Sequence, residues 1–582
     1  MSTTNSRDPL LSKGHTVHCT VPYGVPVDAI CISSFLLDRL SLKGNRSNLS
    51  NLIESYQEVM SSPSFVNMGR DTYRIPLALF EENRTKLVNR LEDGHVVFLL
   101  GGEATTRFDS DHENVFRQES YFYYLTGVKE PDCGVAIDTT TGHTTLFIPK
   151  HPTDYATIMG KIDTPDEWKD HYQVDDVQYL MDHEQVLEQQ QLTLSKSYSS
   201  TPSKSKPKLL LMHGLNTDSG NMYPAPTFDN NTNGLPQDTT TLFPILTECR
   251  VIKSPQELLL LEHVSQISSF AHAYVMRNCQ PGMMEYQCES LFLHYCYYNY
   301  GCRLVSYTNI CGCGPNAAVL HYGHAGANNN SQILSEHNVL YDMGAEYMGY
   351  ASDITCSFPA NGKFTAKYRA VYQGVLNAQI AVYALAKPGV SYVDCHKTAE
   401  AEILKALVEI GIVVLGNSKT IDDLVELRLG AVFMPHGLGH LLGLETHDVG
   451  GYLPGHPERS PLPGLKSLRM ARLLEKDMVL TIEPGCYFID HLLDQALQDP
   501  VLRDHLNRDL LLEYRGYGGV RLEDVVHITD EGMVNFTVCP RTPEEIEFVM
   551  AGGMWPPTHD MAPELCRVNL TKPMPLGPPP SL

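Results

Sequence analysis

Apolar positions set the first division of the chain. From about residue 73 to 250, short apolar runs alternate with longer stretches of helical composition. "VVFLLGG" (Val96–Gly102) reads as a buried strand ended by glycine. "GVAIDTTTGHTTLFIP" (Gly134–Pro149) reads as two strands about a Thr-Gly turn, and "LLLMHG" (Leu209–Gly214) as a further short strand. Helices between them make this an α/β region. Polar "QQQLTLSKSYSSTPSKSKPK" (Gln189–Lys208) reads as a flexible loop within it. In "CRVIKSPQELLLLEH" (Cys249–His263), Ser254 and Glu257 have capping-box spacing and Pro255 takes the first helical position, so a long helix begins there. The expected organisation is a poorly ordered extension over 1–68, an α/β domain over 69–250 with order from about Tyr73 and its loop at 189–208, a second domain over 251–553, and a Pro-rich tail over 554–582 expected to be disordered.

A chain of 582 residues exceeds what one hydrophobic core usually serves, in line with two domains. A formal net charge of −24 argues against a nucleic-acid or anionic-membrane partner. The apolar stretch Gly24–Leu37 is short and contains Asp28, so neither a membrane span nor a secretory signal is expected. The 15 cysteines are odd in number and irregularly spaced. They are expected to be reduced and mostly buried, in a cytoplasmic protein.

The strands of the second domain carry unusual charges. "YDMGAEYMGYASDITCSF" (Tyr341–Phe358) reads as two strands about a Gly-containing turn, with Asp342 and Asp353 inside them. Aspartate is depleted in strands, and an unpartnered buried carboxylate is costly. If the strands pair, both carboxylates can point to one side. "MVLTIEPG" (Met478–Gly485) carries Glu483 as its sole charge, and "GGVRLEDVVHIT" (Gly518–Thr529) carries Glu523 with Arg521 on the same face. "FMPHGLGHLLGLETHD" (Phe433–Asp448) places His440 at the edge of an apolar run. Singly, each carboxylate could face water, and Arg521 could pair with Glu523. Taken together, a shared cation explains four carboxylates and one imidazole. Oxygen ligands with one nitrogen suit Mn²⁺, Co²⁺ or Fe²⁺. Two ions roughly 3.5 Å apart use that much negative charge better than one, and acidify a bridging water for attack on a carbonyl.

These segments, with "LHYGHAG" (Leu320–Gly326), "HDVGGY", "LTIEPGCYFIDHLL" and "GYGGVRLEDVV", resemble the pita-bread metallopeptidases of family M24, and most of all their prolidase branch. The likeness runs from about Arg74 to Gly553 and includes "FRQESYFYYLTGV". It implies an α+β fold: a C-terminal pita-bread (creatinase/aminopeptidase) domain preceded by a smaller creatinase-like α/β domain. It implies two divalent ions per subunit, Mn²⁺ above Co²⁺, held by Asp342, Asp353, His440, Glu483 and Glu523. By the same resemblance Asp342 chelates one ion, Asp353 and Glu523 bridge, and His440 and Glu483 bind the second. Glu483 also moves a proton, His321 and His447 contact the substrate, and Arg469 and Arg521 complete its pocket, Arg469 reading a free carboxylate. The implied activity is hydrolysis of dipeptides with a C-terminal proline by a homodimer. Cleavage of longer Xaa-Pro peptides, as by aminopeptidase P, or a binding protein of the same fold without catalysis, are the alternatives.

Overall fold

The computed structural model describes residues 64–69, 72–180, 206–226, 235–324, 326–418, 420–568 and 570. Most of the expected N-terminal extension, most of the 189–208 loop and the end of the tail lie outside the described residues.

The first apolar runs form the four inner strands of a six-stranded sheet. Its order is Gln237–Asp238, Leu209–Leu211, Val96–Leu100, Gly134–Asp138, Thr144–Ile148 and Asp176–Tyr179. The three strands from Val96 to Ile148 pair antiparallel; the flanking pairs are parallel. Side chains alternate between two apolar clusters: Val97, Leu99, Val135 and Ile137 join the main core, while Val96, Phe98, Ala136 and Phe147 pack on the other face. Both faces are covered, which is why these strands read as unbroken apolar runs.

The helix expected after Ser254 spans Pro255–Asn278, and its capping box is formed on both sides, Ser254 with Glu257. It and Ala366–Leu385, on which Tyr392–Glu409 packs, lie against a set of small sheets. One holds Ile310–Cys313, Asn338–Asp342 and Thr355–Pro359; another Val479–Ile482, Asp524–Ile528 and Met533–Asn535; a third Gly485–Tyr487 and Gly519–Arg521.

Three expectations need correction. Asn338–Asp342 and Thr355–Pro359 do pair antiparallel, Asp342 opposite Thr355. Their connection, however, is more than a turn, because Ala345–Tyr347 and Tyr350–Ala351 pair with each other in a different sheet. Order also begins before Tyr73, since Phe65–Val66 pairs with Ile75–Pro76 and Val66 is buried. Finally, the described part of the Pro-rich tail is packed. Trp555 Nε1 donates to the Val538 carbonyl, Arg567 pairs with Glu545 and Asp560, and Leu565, Val568 and Leu570 are buried. A proline-rich composition weakens helix and strand signals, but it does not prevent side chains from filling a groove.

Candidate metal centre and active site

The carboxylates occupy the places where strands change sheet. Asp342 ends Asn338–Asp342. Asp353, Glu483 and Glu523 are not in strands, as the sequence suggested, but in two- or three-residue gaps between strands of different sheets. A gap frees the side chain from the strict alternation of a strand. It also leaves backbone groups to be satisfied. Gln379, fully buried on the helix Ala366–Leu385, donates to the carbonyls of Ile482 and Leu522, the residues just before Glu483 and Glu523. From below, Arg541 donates to the carbonyls of Thr355 and Glu523 and pairs with Asp524. His440 lies in a loop that runs beside Val479–Ile482. Its carbonyl accepts from Thr481 N–H at 2.9 Å and its N–H donates to Thr481 Oγ1 at 3.1 Å.

All five expected ligands line one cavity of about 1160 Å³, with His321, His447, Arg469 and Arg521 on its walls. Asp353, His440 and Glu523 bring ligand atoms within 4.8 Å of one another. His440 Nε2 lies 3.2 Å from Asp353 Oδ2 and 3.6 Å from Glu483 Oε1. Asp342 is held by Arg521 Nη2 at 2.6 Å and by the Tyr307 hydroxyl at 2.5 Å.

The donor set fits a cation. Asp353 Oδ1 is buried and has no hydrogen-bond partner. Burial pushes Asp342 up to about 6 and Glu483 up to about 7; in each, Arg521 opposes the shift and neighbouring carboxylates add to it. Burial and three nearby carboxylates raise Glu523 well above the usual range. Burial opposes ionisation of Asp353 too, but the hydrogen bond and charge of His440 leave it below its ordinary value. So many buried carboxylates, with one imidazole and Arg521 among them, leave negative charge that a divalent ion would neutralise.

The other expected residues divide. His321 is lowered by burial, then by Arg521 and His324. His447 packs edge-on against His440 at 4.5 Å and is lowered by burial, then by the charges of His440 and Arg469. Both imidazoles are therefore held neutral. Arg469 faces the cavity and lies 3.2 Å from Asp218. Arg521 has protein partners as well. It lines the cavity, and its guanidinium also donates to Asp342, Thr355 Oγ1 and the Tyr487 hydroxyl. Its distance to Glu523 is 4.0 Å, so the simple Arg521–Glu523 pair is not its main contact.

Sequence reasoning missed Tyr307, which has no periodic signal, and His436. The latter lies in the same "MPHGLGH" segment as His440; its Nε2 is 3.0 Å from the Tyr487 hydroxyl and its Nδ1 is 3.7 Å from Glu483.

Carboxylates at strand ends and gaps converge with His440 on a cluster that could hold a metal ion. Residues 260–530 match Metallopeptidase family M24, and residues 80–197 match Aminopeptidase P, N-terminal domain. A solved aspartate-to-alanine variant of aminopeptidase P of Escherichia coli is similar with a TM-score of 0.64 and 28% identity, over 82% of this chain and 99% of that one. The zinc-substituted form of that aminopeptidase P in complex with product gives 0.63 and 27%, with the same coverage. The chain belongs to metallopeptidase family M24. Within the family it is 49% identical to the Xaa-Pro dipeptidase of Homo sapiens, over 84% of this chain and 97% of that relative. It is 35% identical to a probable Xaa-Pro aminopeptidase of Sordaria macrospora, over 79% of this chain and 93% of that one.

Proposed function

We propose that this metallopeptidase hydrolyses dipeptides with a C-terminal proline, releasing the first amino acid and proline. The observation that carries the reading is the five-residue donor set in one cavity with Arg469, a cation able to meet a free carboxylate. Asp342, Asp353, His440, Glu483 and Glu523 would hold two divalent ions, with Mn²⁺ the best match to an oxygen-rich set. Those ions, when bound, supply Lewis acidity at the scissile carbonyl and acidify a water. The chain supplies the rest. Glu483, facing the cavity beside His440, can carry a proton toward the leaving nitrogen. Neutral His321 and His447 offer N–H donors to the substrate without adding charge. Arg521 and Tyr307 hold Asp342 in one orientation. A homodimer in the cytoplasm completes the proposal.

Longer Xaa-Pro peptides are the second reading, favoured by a cavity much larger than a dipeptide needs. A binding protein without catalysis is disfavoured, because every ligand position is filled. Turnover of Gly-Pro and Gly-Pro-Ala by the metal-loaded chain decides. The dipeptide should be cleaved at least about tenfold more efficiently, equivalent to ~1.4 kcal/mol in the transition state. Preference for the tripeptide would replace the dipeptidase reading with aminopeptidase activity.

A further inference from the structure

Part of the cavity wall comes from the N-terminal α/β region. A hairpin, Gly214–Leu215 and Met222–Tyr223, projects a loop whose Asp218 reaches Arg469. The loop is braced internally: Asn216 Oδ1 accepts from the N–H groups of Asp218 and Ser219 at 2.9 and 3.0 Å. Its base is braced too. Tyr223 packs edge-on against Tyr121 at 5.7 Å, and a Cβ on Gly214 would lie 2.1 Å from Phe243.

The backbone leading into Arg469 is equally constrained. Arg459 donates to the Leu468 carbonyl at 2.7 Å, as does the Tyr452 hydroxyl, and Arg459 also donates to the Thr217 carbonyl at 3.0 Å. Its guanidinium stacks 4.3 Å over Tyr452. A Cβ on Gly451 would lie 2.1 Å from the Arg469 carbonyl oxygen. What is left soft is the long Arg469 side chain, which loses much rotamer freedom when held. Asp218 Oδ1 holds it, 3.2 Å from Arg469 Nη1 and 3.5 Å from Arg459 Nη2. That oxygen is buried without an aligned hydrogen bond, so its stabilisation comes from the two guanidinium charges. One carboxylate between two arginines leaves a single net positive charge, enough for one substrate carboxylate.

We propose that Asp218 is a specificity-determining positioning residue. From the N-terminal region it fixes the Arg469 guanidinium where the carboxylate of a two-residue substrate ends. The cavity's volume does not limit substrate length; a charge held at a set place does. The inference rests on Arg469 as the carboxylate reader.

The test uses the full chain loaded with Mn²⁺, with Asp218→Asn, Arg469→Ala and the double variant assayed on Gly-Pro, Gly-Pro-amide and Gly-Pro-Ala. Melting curves confirm folding of each. Asp218→Asn should raise KM for Gly-Pro roughly five- to tenfold with kcat within about twofold, leave the amide unchanged, and reduce the preference for Gly-Pro over Gly-Pro-Ala by a similar factor. The double variant should be no worse than Arg469→Ala, because Asp218 acts through Arg469. If Arg469→Ala is selective for the acid but Asp218→Asn leaves KM unchanged or lower, the role of Asp218 is overturned and the reader survives. If Arg469→Ala damages acid and amide equally, the carboxylate reader fails, and the proposal with it.

Discussion

Asp353 concentrates the chemistry of the site into one side chain. One oxygen faces His440 and the other is buried without a hydrogen bond. No aligned hydrogen bond repays the desolvation of that second oxygen, and a cation would. Asp353→Asn keeps the shape and removes the charge. Turnover of Gly-Pro should fall at least about a hundredfold (~2.7 kcal/mol), and bound metal per chain should drop. The metal-free variant should be less stable than metal-free wild type above about pH 4, since the pairing with His440 that holds Asp353 ionised is lost. Metal analysis beside a melting curve checks both halves; wild-type kinetics with full metal content would make Asp353 an ordinary polar residue.

At the scale of elements, the site is made by interruptions in strands and by what supports them. Gln379 satisfies the carbonyls of Ile482 and Leu522, just before Glu483 and Glu523, and Arg541 satisfies that of Glu523. The support continues into the C-terminal segment. Asn535 Nδ2 donates to Asp524, the partner of Arg541, and to the Leu565 carbonyl. Ending the chain at Gly553 would strip away Leu565, Val568, Leu570 and the Trp555 contact. Each buried aliphatic side chain stabilises by roughly 1.5–3 kcal/mol before ordering costs. The truncated protein should therefore unfold at a clearly lower urea concentration. An unchanged midpoint would show that the segment is dispensable.

For the whole molecule, the carboxylate cluster links metal, proton and stability. Asp342 and Glu483 are raised to about 6 and about 7, above their ordinary values of 3.8 and 4.5. The folded metal-free protein thus holds protons that the unfolded chain releases. Its stability is fullest below about pH 4 on this account and is lost as pH rises through 6 to 7. Metal takes the protons' place, so Mn²⁺ should flatten the decline and release protons on binding. Melting temperatures of chelated and Mn²⁺-loaded protein between pH 5 and 8 test this. Parallel curves would mean that the cluster is not where the ion binds. Among the described residues no helix is long and apolar enough to cross a membrane.

Local pattern was enough for much of this. Apolar runs marked Val96–Leu100, Gly134–Asp138, Thr144–Ile148 and Leu209–Leu211, the inner strands covered on both faces, but not the short polar strands Asp176–Tyr179 and Gln237–Asp238. The capping box at Ser254 marked the helix Pro255–Asn278, because its hydrogen bonds join residues three apart. Charges in apolar surroundings singled out Asp342, Asp353, Glu483 and Glu523, because burial of a carboxylate is costly wherever it falls. Tertiary structure alone decided what those residues meet. It moved three carboxylates from strands into gaps, gave Arg521 to Asp342, and brought Tyr307 and His436 to the cavity. It also carried Asp218 to Arg469, 251 positions further along the chain. Such contacts depend on how sheets and loops from distant segments pack, and no periodicity of 2 or 3.6 residues records them.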